Sequence, residues 1–109
     1  MNVLIMTKEL KEFEDVNESL FKLMEYAVYL KEAFDLKVCG YGNYDDIKIL
    51  SYEECYGMVF NVNFKNLEIA SWEDSPNLLK LEFKNVEMDF VNDVNTFTDK
   101  WLKKYNLVD

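Results

Sequence analysis

The stretch Met58-Val59-Phe60-Asn61-Val62-Asn63-Phe64-Lys65 decides the fold class of this chain. Met58, Phe60, Val62 and Phe64 alternate with Val59, Asn61, Asn63 and Lys65, the two-residue period of an antiparallel strand with one face on a core and the other toward water. Downstream, Leu67, Ile69 and Ser71 predict a second strand, and Leu79, Leu81 and Phe83 against Lys80, Glu82 and Lys84 predict a third. Between these two, Glu73-Asp74-Ser75-Pro76-Asn77 carries the turn formers of a hairpin loop. Asp46 to Tyr52 is a further strand candidate with polar flanks crowded by tyrosine.

Outward from these strands the period changes to that of helices. Leu10 and Phe13 form a short apolar pair behind Thr7, which reads as a cap. Asn17 then caps a longer helix with Leu20, Leu23, Met24, Ala27, Leu30 and Phe34 on one face, widened by Phe21 and Val28. Glu18, Lys22, Glu25, Glu32 and Asp35 are left for water. At the other end Phe90, Val94, Phe97, Trp101 and Tyr105 recur every three or four residues. Asp93 near the start of that run and Lys100, Lys103 and Lys104 near its finish suit the helix dipole. The predicted order is helix, three to five strands, helix. This is an α+β fold, a mostly antiparallel sheet with a long N-terminal helix and a C-terminal helix on one face.

The 109 residues are expected to form a single acidic domain, 1–109, burying roughly 65% of the surface of the unfolded chain. Half the residues are apolar and 16% aromatic, so folding is expected. Only Gly40, Gly42, Gly57 and Pro76 are available as punctuation, which argues against a many-turned all-β chain. Val3 to Met6 is too short for a signal-peptide core and no apolar run approaches a bilayer span, so the expected location is cytoplasmic. In that compartment Cys39 and Cys55 read as thiols rather than a disulfide. Asn17-Glu18-Ser19 then reads as a helix start and not a glycosylation site.

Charge excludes more functions than it proposes. All twelve cations are lysines, no arginine or histidine is present, and twenty-one carboxylates leave a net charge of -9. The chain therefore lacks the side chain that titrates near neutrality and the planar fork that best grips phosphate. Direct binding to nucleic acid, which needs cations to neutralise phosphates, is disfavoured. A basic protein is the complementary partner; the plainer reading of the same charge is solubility.

The carboxylates gather beside aromatic rings. Tyr44-Asp45-Asp46 and Tyr52-Glu53-Glu54 repeat one pattern eight residues apart, flanked by Tyr41 and Tyr56, and Trp72-Glu73-Asp74 repeats it again. An extended intervening segment would bring the first two acidic pairs to equivalent positions. Tyrosine and tryptophan supply contact area at low entropic cost, and adjacent carboxylates select a cationic partner. Tyr41, Tyr44, Asp45, Asp46, Tyr52, Glu53, Glu54, Tyr56, Trp72, Glu73 and Asp74 are the candidate partner-binding residues. The competing reading makes the tyrosines cover a core edge and Trp72 close a strand.

Each familiar catalytic constellation lacks a member. Glu73, Asp74, Glu82 and Lys84 distantly resemble the acid and lysine set of restriction-type nucleases, but the spacing is short and Asp74 precedes the proline. Asn43, Asp45 and Asp46, or Glu87, Asp89 and Asp93, lack the spacing of a calcium loop. Two cysteines without histidine complete no zinc site, and neither cysteine has a histidine base. Gly40-Tyr41-Gly42 is no phosphate loop. No cofactor and no enzymatic activity are expected.

In size, charge and composition the whole chain resembles two groups of small acidic inhibitors: bacterial immunity proteins that neutralise a toxin, and phage anti-defence proteins of the anti-CRISPR kind. No motif carries the resemblance, so no residue is carried over from it. It implies a stoichiometric inhibitor, monomeric or homodimeric, that occupies the basic cleft of a nuclease or other nucleic-acid-binding protein. The alternative is a homo-oligomeric assembly subunit that uses the same tyrosines to pair sheet edges or helix faces.

Overall fold

The computed structural model describes residues 2–12, 16–37, 47–49, 58–72 and 75–109. The elements in chain order are β1 (Val3–Glu9), α1 (Val16–Phe34), β2 (Ile47–Ile49), β3 (Met58–Phe64), β4 (Leu67–Trp72), β5 (Ser75–Lys84) and α2 (Met88–Lys104). The strands form one antiparallel sheet in the order β1-β5-β4-β3-β2, so the α+β architecture expected from the sequence is the one observed.

Alternation explains the sheet. Leu79, Leu81 and Phe83 of β5, Leu67 and Ile69 of β4, and Val62 and Phe64 of β3 are all buried, while the intervening side chains face away from the helices. Phe64 pairs with Leu67 across a two-residue turn. Asn66 then ties that turn to the far end of β5, its side chain donating to the Lys84 carbonyl and its own carbonyl accepting from Lys84 N–H, both at 2.9 Å.

Both helices cover the inner face of the sheet. Leu23, Tyr26, Ala27 and Leu30 of α1 and Val91, Val94, Thr98, Trp101 and Leu102 of α2 recur at three and four residues and point into the core. Phe34 meets Phe90 and Phe97 edge-on at 5.9 and 5.7 Å. Each helix stops on a left-handed residue: Asp35 (φ 50) after α1 and Asn106 (φ 58) after α2. There the Leu36 N–H reaches the Lys31 carbonyl and the Leu107 N–H the Leu102 carbonyl, the six-to-one bonds of a Schellman cap.

Several expectations are corrected. The chain opens on a strand, so the long helix is the second element and not the first. Thr7 lies inside β1 opposite Lys80 and caps no helix. Leu10 is buried in the connection after β1, held by its N–H on the Asn77 carbonyl at 2.6 Å. Asn17 sits within α1 rather than before it. The β4–β5 loop shrinks to residues 73–74, because Ser75, Pro76 and Asn77 already belong to β5. Val28 is partly exposed and does not widen the buried face of α1. Among the described residues no helix is long and apolar enough to cross a membrane.

Candidate partner-binding site at one end of the sheet

The sheet register, more than any single side chain, organises the candidate site. Glu9 pairs with Leu78, Trp72 with both Ser75 and Met58, and Ile49 with Phe60. The end of β1, the end of β2, the start of β3, the end of β4 and the start of β5 therefore share one end of the sheet. The chain segments flanked by these strand ends are 10–15, 50–57 and 73–74. They carry Glu12, Glu14, Asp15, Glu53, Glu54, Glu73 and Asp74 against a single cation, Lys11.

Outside these three segments fourteen carboxylates face eleven lysines, so six of the nine net negative charges belong to the segments themselves. Ion pairs among the described residues include Lys8 with Asp99 at 2.9 Å, Lys22 with Glu25 at 3.9 Å and Lys84 with Glu82 at 3.4 Å. Lys8 also donates to the Asn95 side chain, fastening β1 to α2. The last turn of α2 carries Lys103 and Lys104, and just beyond it the Leu107 carbonyl accepts from the Lys11 N–H at 3.0 Å.

Of the sequence-predicted site residues, Tyr41, Tyr44, Asp45, Asp46, Tyr52, Glu53, Glu54, Tyr56, Glu73 and Asp74 lie outside the described residues, as do Cys39 and Cys55. Trp72 is described in its backbone, as the last residue of β4. The described strand ends sort the three aromatic and acidic triplets. Two of them, Tyr52-Glu53-Glu54 and Trp72-Glu73-Asp74, belong to segments flanked by the same end of the sheet. Tyr44-Asp45-Asp46 directly precedes Ile47, whose partner Val62 lies toward the other end. The remote nuclease set also divides. Glu82 and Lys84 pair with each other on the sheet face opposite the helices, where Glu82 stands across from Ile5 and Glu68. Among the described residues no group of three His, Cys, Asp or Glu side chains is placed to hold a metal ion.

Sequence reasoning missed an aromatic seam between the helices. Tyr26 is fully buried, 5.5 Å from Trp101, and Trp101 in turn lies 4.5 Å from Tyr105, whose ring carries the ammonium groups of Lys22 and Lys104 at 5.5 Å. Burial raises the Tyr26 phenol well above its ordinary pKa, and the nearby Asp99 charge adds to the rise. Beside this seam runs an open groove of ≈ 510 Å³ lined by Tyr29, Glu32, Ala33, Phe97 and Trp101. The one signal in the sequence was that Tyr26 falls in step with Leu23, Ala27 and Leu30. No family model, curated protein or solved structure matches this chain.

Proposed function

We propose that this chain is a non-enzymatic acidic binding protein that inhibits a basic, nucleic-acid-handling protein by occupying its phosphate-binding cleft. A toxin immunity protein or a phage anti-defence inhibitor of the anti-CRISPR kind works in this way. One observation carries the reading: three chain segments rich in carboxylates, one holding and another adjoining an aromatic ring beside two acids, are flanked by strand ends at a single end of the sheet. An end that carries most of the net negative charge speeds encounter with a cationic cleft and repels nucleic acid itself.

The test immobilises the folded protein, exposes it to bacterial lysate and asks whether the retained proteins are basic and are released by duplex DNA. Retention should also be lost in the Glu53→Lys, Glu54→Lys, Glu73→Lys, Asp74→Lys variant, while Glu82→Gln leaves it unchanged. Retained proteins that ignore added DNA, or that bind the charge-reversed variant equally well, would refute cleft occupation.

A further inference from the structure

The edge strand β1 carries an open ladder that fits a second copy of this chain. The Asn85 N–H donates to the Asn2 carbonyl at 2.8 Å, and the Leu10 N–H to the Asn77 carbonyl at 2.6 Å. In an antiparallel ladder the residues that exchange bonds alternate with those that do not. With Val3 opposite Lys84 and Glu9 opposite Leu78, the even-numbered residues of β1 thus turn their backbone groups toward β5. Val3, Ile5, Thr7 and Glu9 turn theirs away from the sheet. β1 is the outermost strand, so among the described residues no strand receives those groups.

Side-chain exposure agrees with the ladder. Leu4, Met6 and Lys8 share a face with the buried Phe83, Leu81 and Leu79, whereas Val3, Ile5 and Thr7 lie on the face away from the helices. Val3 is 48% exposed and Ile5 56%, and Leu4, although turned inward at the rim, is still 37% exposed. Natural edge strands are usually blunted by charge, proline or a bulge. From Asn2 to Thr7 this one has no charge and no proline, and its pairing with β5 is unbroken by any register shift.

We propose that two copies of this chain pair antiparallel along β1 about a twofold axis at Ile5, joining their sheets into one. In that register Ile5 exchanges bonds with Ile5 of the other copy, and Val3 with Thr7, which satisfies the outward backbone groups of all three residues. Leu4 comes opposite Met6, and Glu9 stays beyond the apolar overlap. Self-complementarity selects a second copy as the occupant, since the outward groups of Val3, Ile5 and Thr7 meet the same groups of an identical strand about the Ile5 axis, and no carboxylate within the overlap opposes the meeting. In a chain with a net charge of -9, residues 2–7 are free of carboxylates. An antiparallel arrangement also sends the two acidic sheet ends in opposite directions, so like charges are kept apart. The dimer leaves both acidic ends open, and it stands whether or not they bind a basic cleft.

The experiment measures mass by light scattering and sedimentation at about 0.1 mM protein, where an interface of low-micromolar Kd is nearly fully formed. Wild type should have twice the 13.0 kDa mass of one chain, at low and high salt alike. Ile5→Pro removes an outward N–H that β5 does not use, so this variant should remain folded by circular dichroism and run as a monomer. Ile5→Lys brings two like charges to the axis at an exposed position and should also weaken dimerisation at least tenfold; it decides the matter if the proline variant unfolds. A monomeric wild type at this concentration, or an undiminished dimer in the folded variants, would overturn the proposal.

Discussion

The hydroxyl pair Tyr26–Thr98 sets a double-mutant cycle whose outcome follows from which group donates. Both residues have no exposed surface, and their oxygens are 2.7 Å apart. Thr98 spends its proton on the Val94 carbonyl, also at 2.7 Å, so the phenol must be the donor of the pair. Tyr26→Phe removes that donor and should cost about 1 kcal/mol, or roughly 4–8 °C in Tm for a domain of this size. Thr98→Val leaves the buried phenol with no acceptor and should cost about 1–3 kcal/mol. Combining the two removes both polar partners, so the double variant should be about 1–2 kcal/mol more stable than the sum of the single losses. Urea unfolding of the four proteins measures the cycle. The same phenol links stability to pH. Its folded pKa is raised, so its contribution is complete below the unfolded pKa of about 10 and is lost as pH rises. Each further unit costs about 1.4 kcal/mol until the folded phenol ionises. Tyr26→Phe should flatten that alkaline decline. Additive single losses, or an alkaline decline equal in wild type and Tyr26→Phe, would refute the assignment of donor and cause.

Two predictions concern the ends of elements. Asn106 holds φ 58 at the Schellman cap of α2, so Asn106→Gly should match or exceed wild-type stability while Asn106→Ala loses about 1 kcal/mol, both read from thermal unfolding. Asp99→Asn weakens the Lys8 bridge that joins β1 to α2 across a half-exposed carboxylate, and should cost no more than about 1 kcal/mol, with the loss shrinking at high salt in denaturant titrations.

The elements that the sequence disclosed are those whose local period equals their burial period. Residues 61–64 and 78–84 alternate because each strand has one face on the core. The three-and-four run Phe90, Val94, Phe97, Trp101 and Tyr105 marks the inward side of α2, although Val91, Thr98 and Leu102, which that run leaves out, are more deeply buried than Phe90, Phe97 and Tyr105. β1 was illegible because Val3-Leu4-Ile5-Met6 is apolar on both faces, and its partner among the described strands is β5, about seventy to eighty residues away in sequence. Tyr26 was missed as core because a tyrosine in step with leucines looks like any other amphipathic position until its hydroxyl finds Thr98.

For the candidate site the division is similar. Sequence alone determined the charge, the absence of histidine and arginine, and the three triplets of one ring and two acids, since these are properties of composition and neighbours. Only the tertiary structure decided which of them belong together. Antiparallel pairing of Met58 with Trp72 and of Trp72 with Ser75 puts the flanks of residues 50–57 and 73–74 at one sheet end. The direction of β2 puts Ile47, the residue that follows Tyr44-Asp45-Asp46 in sequence, toward the opposite end. Register between distant strands is set by long-range burial of Val62, Ile69 and Leu81 against the helices, and no local pattern encodes it.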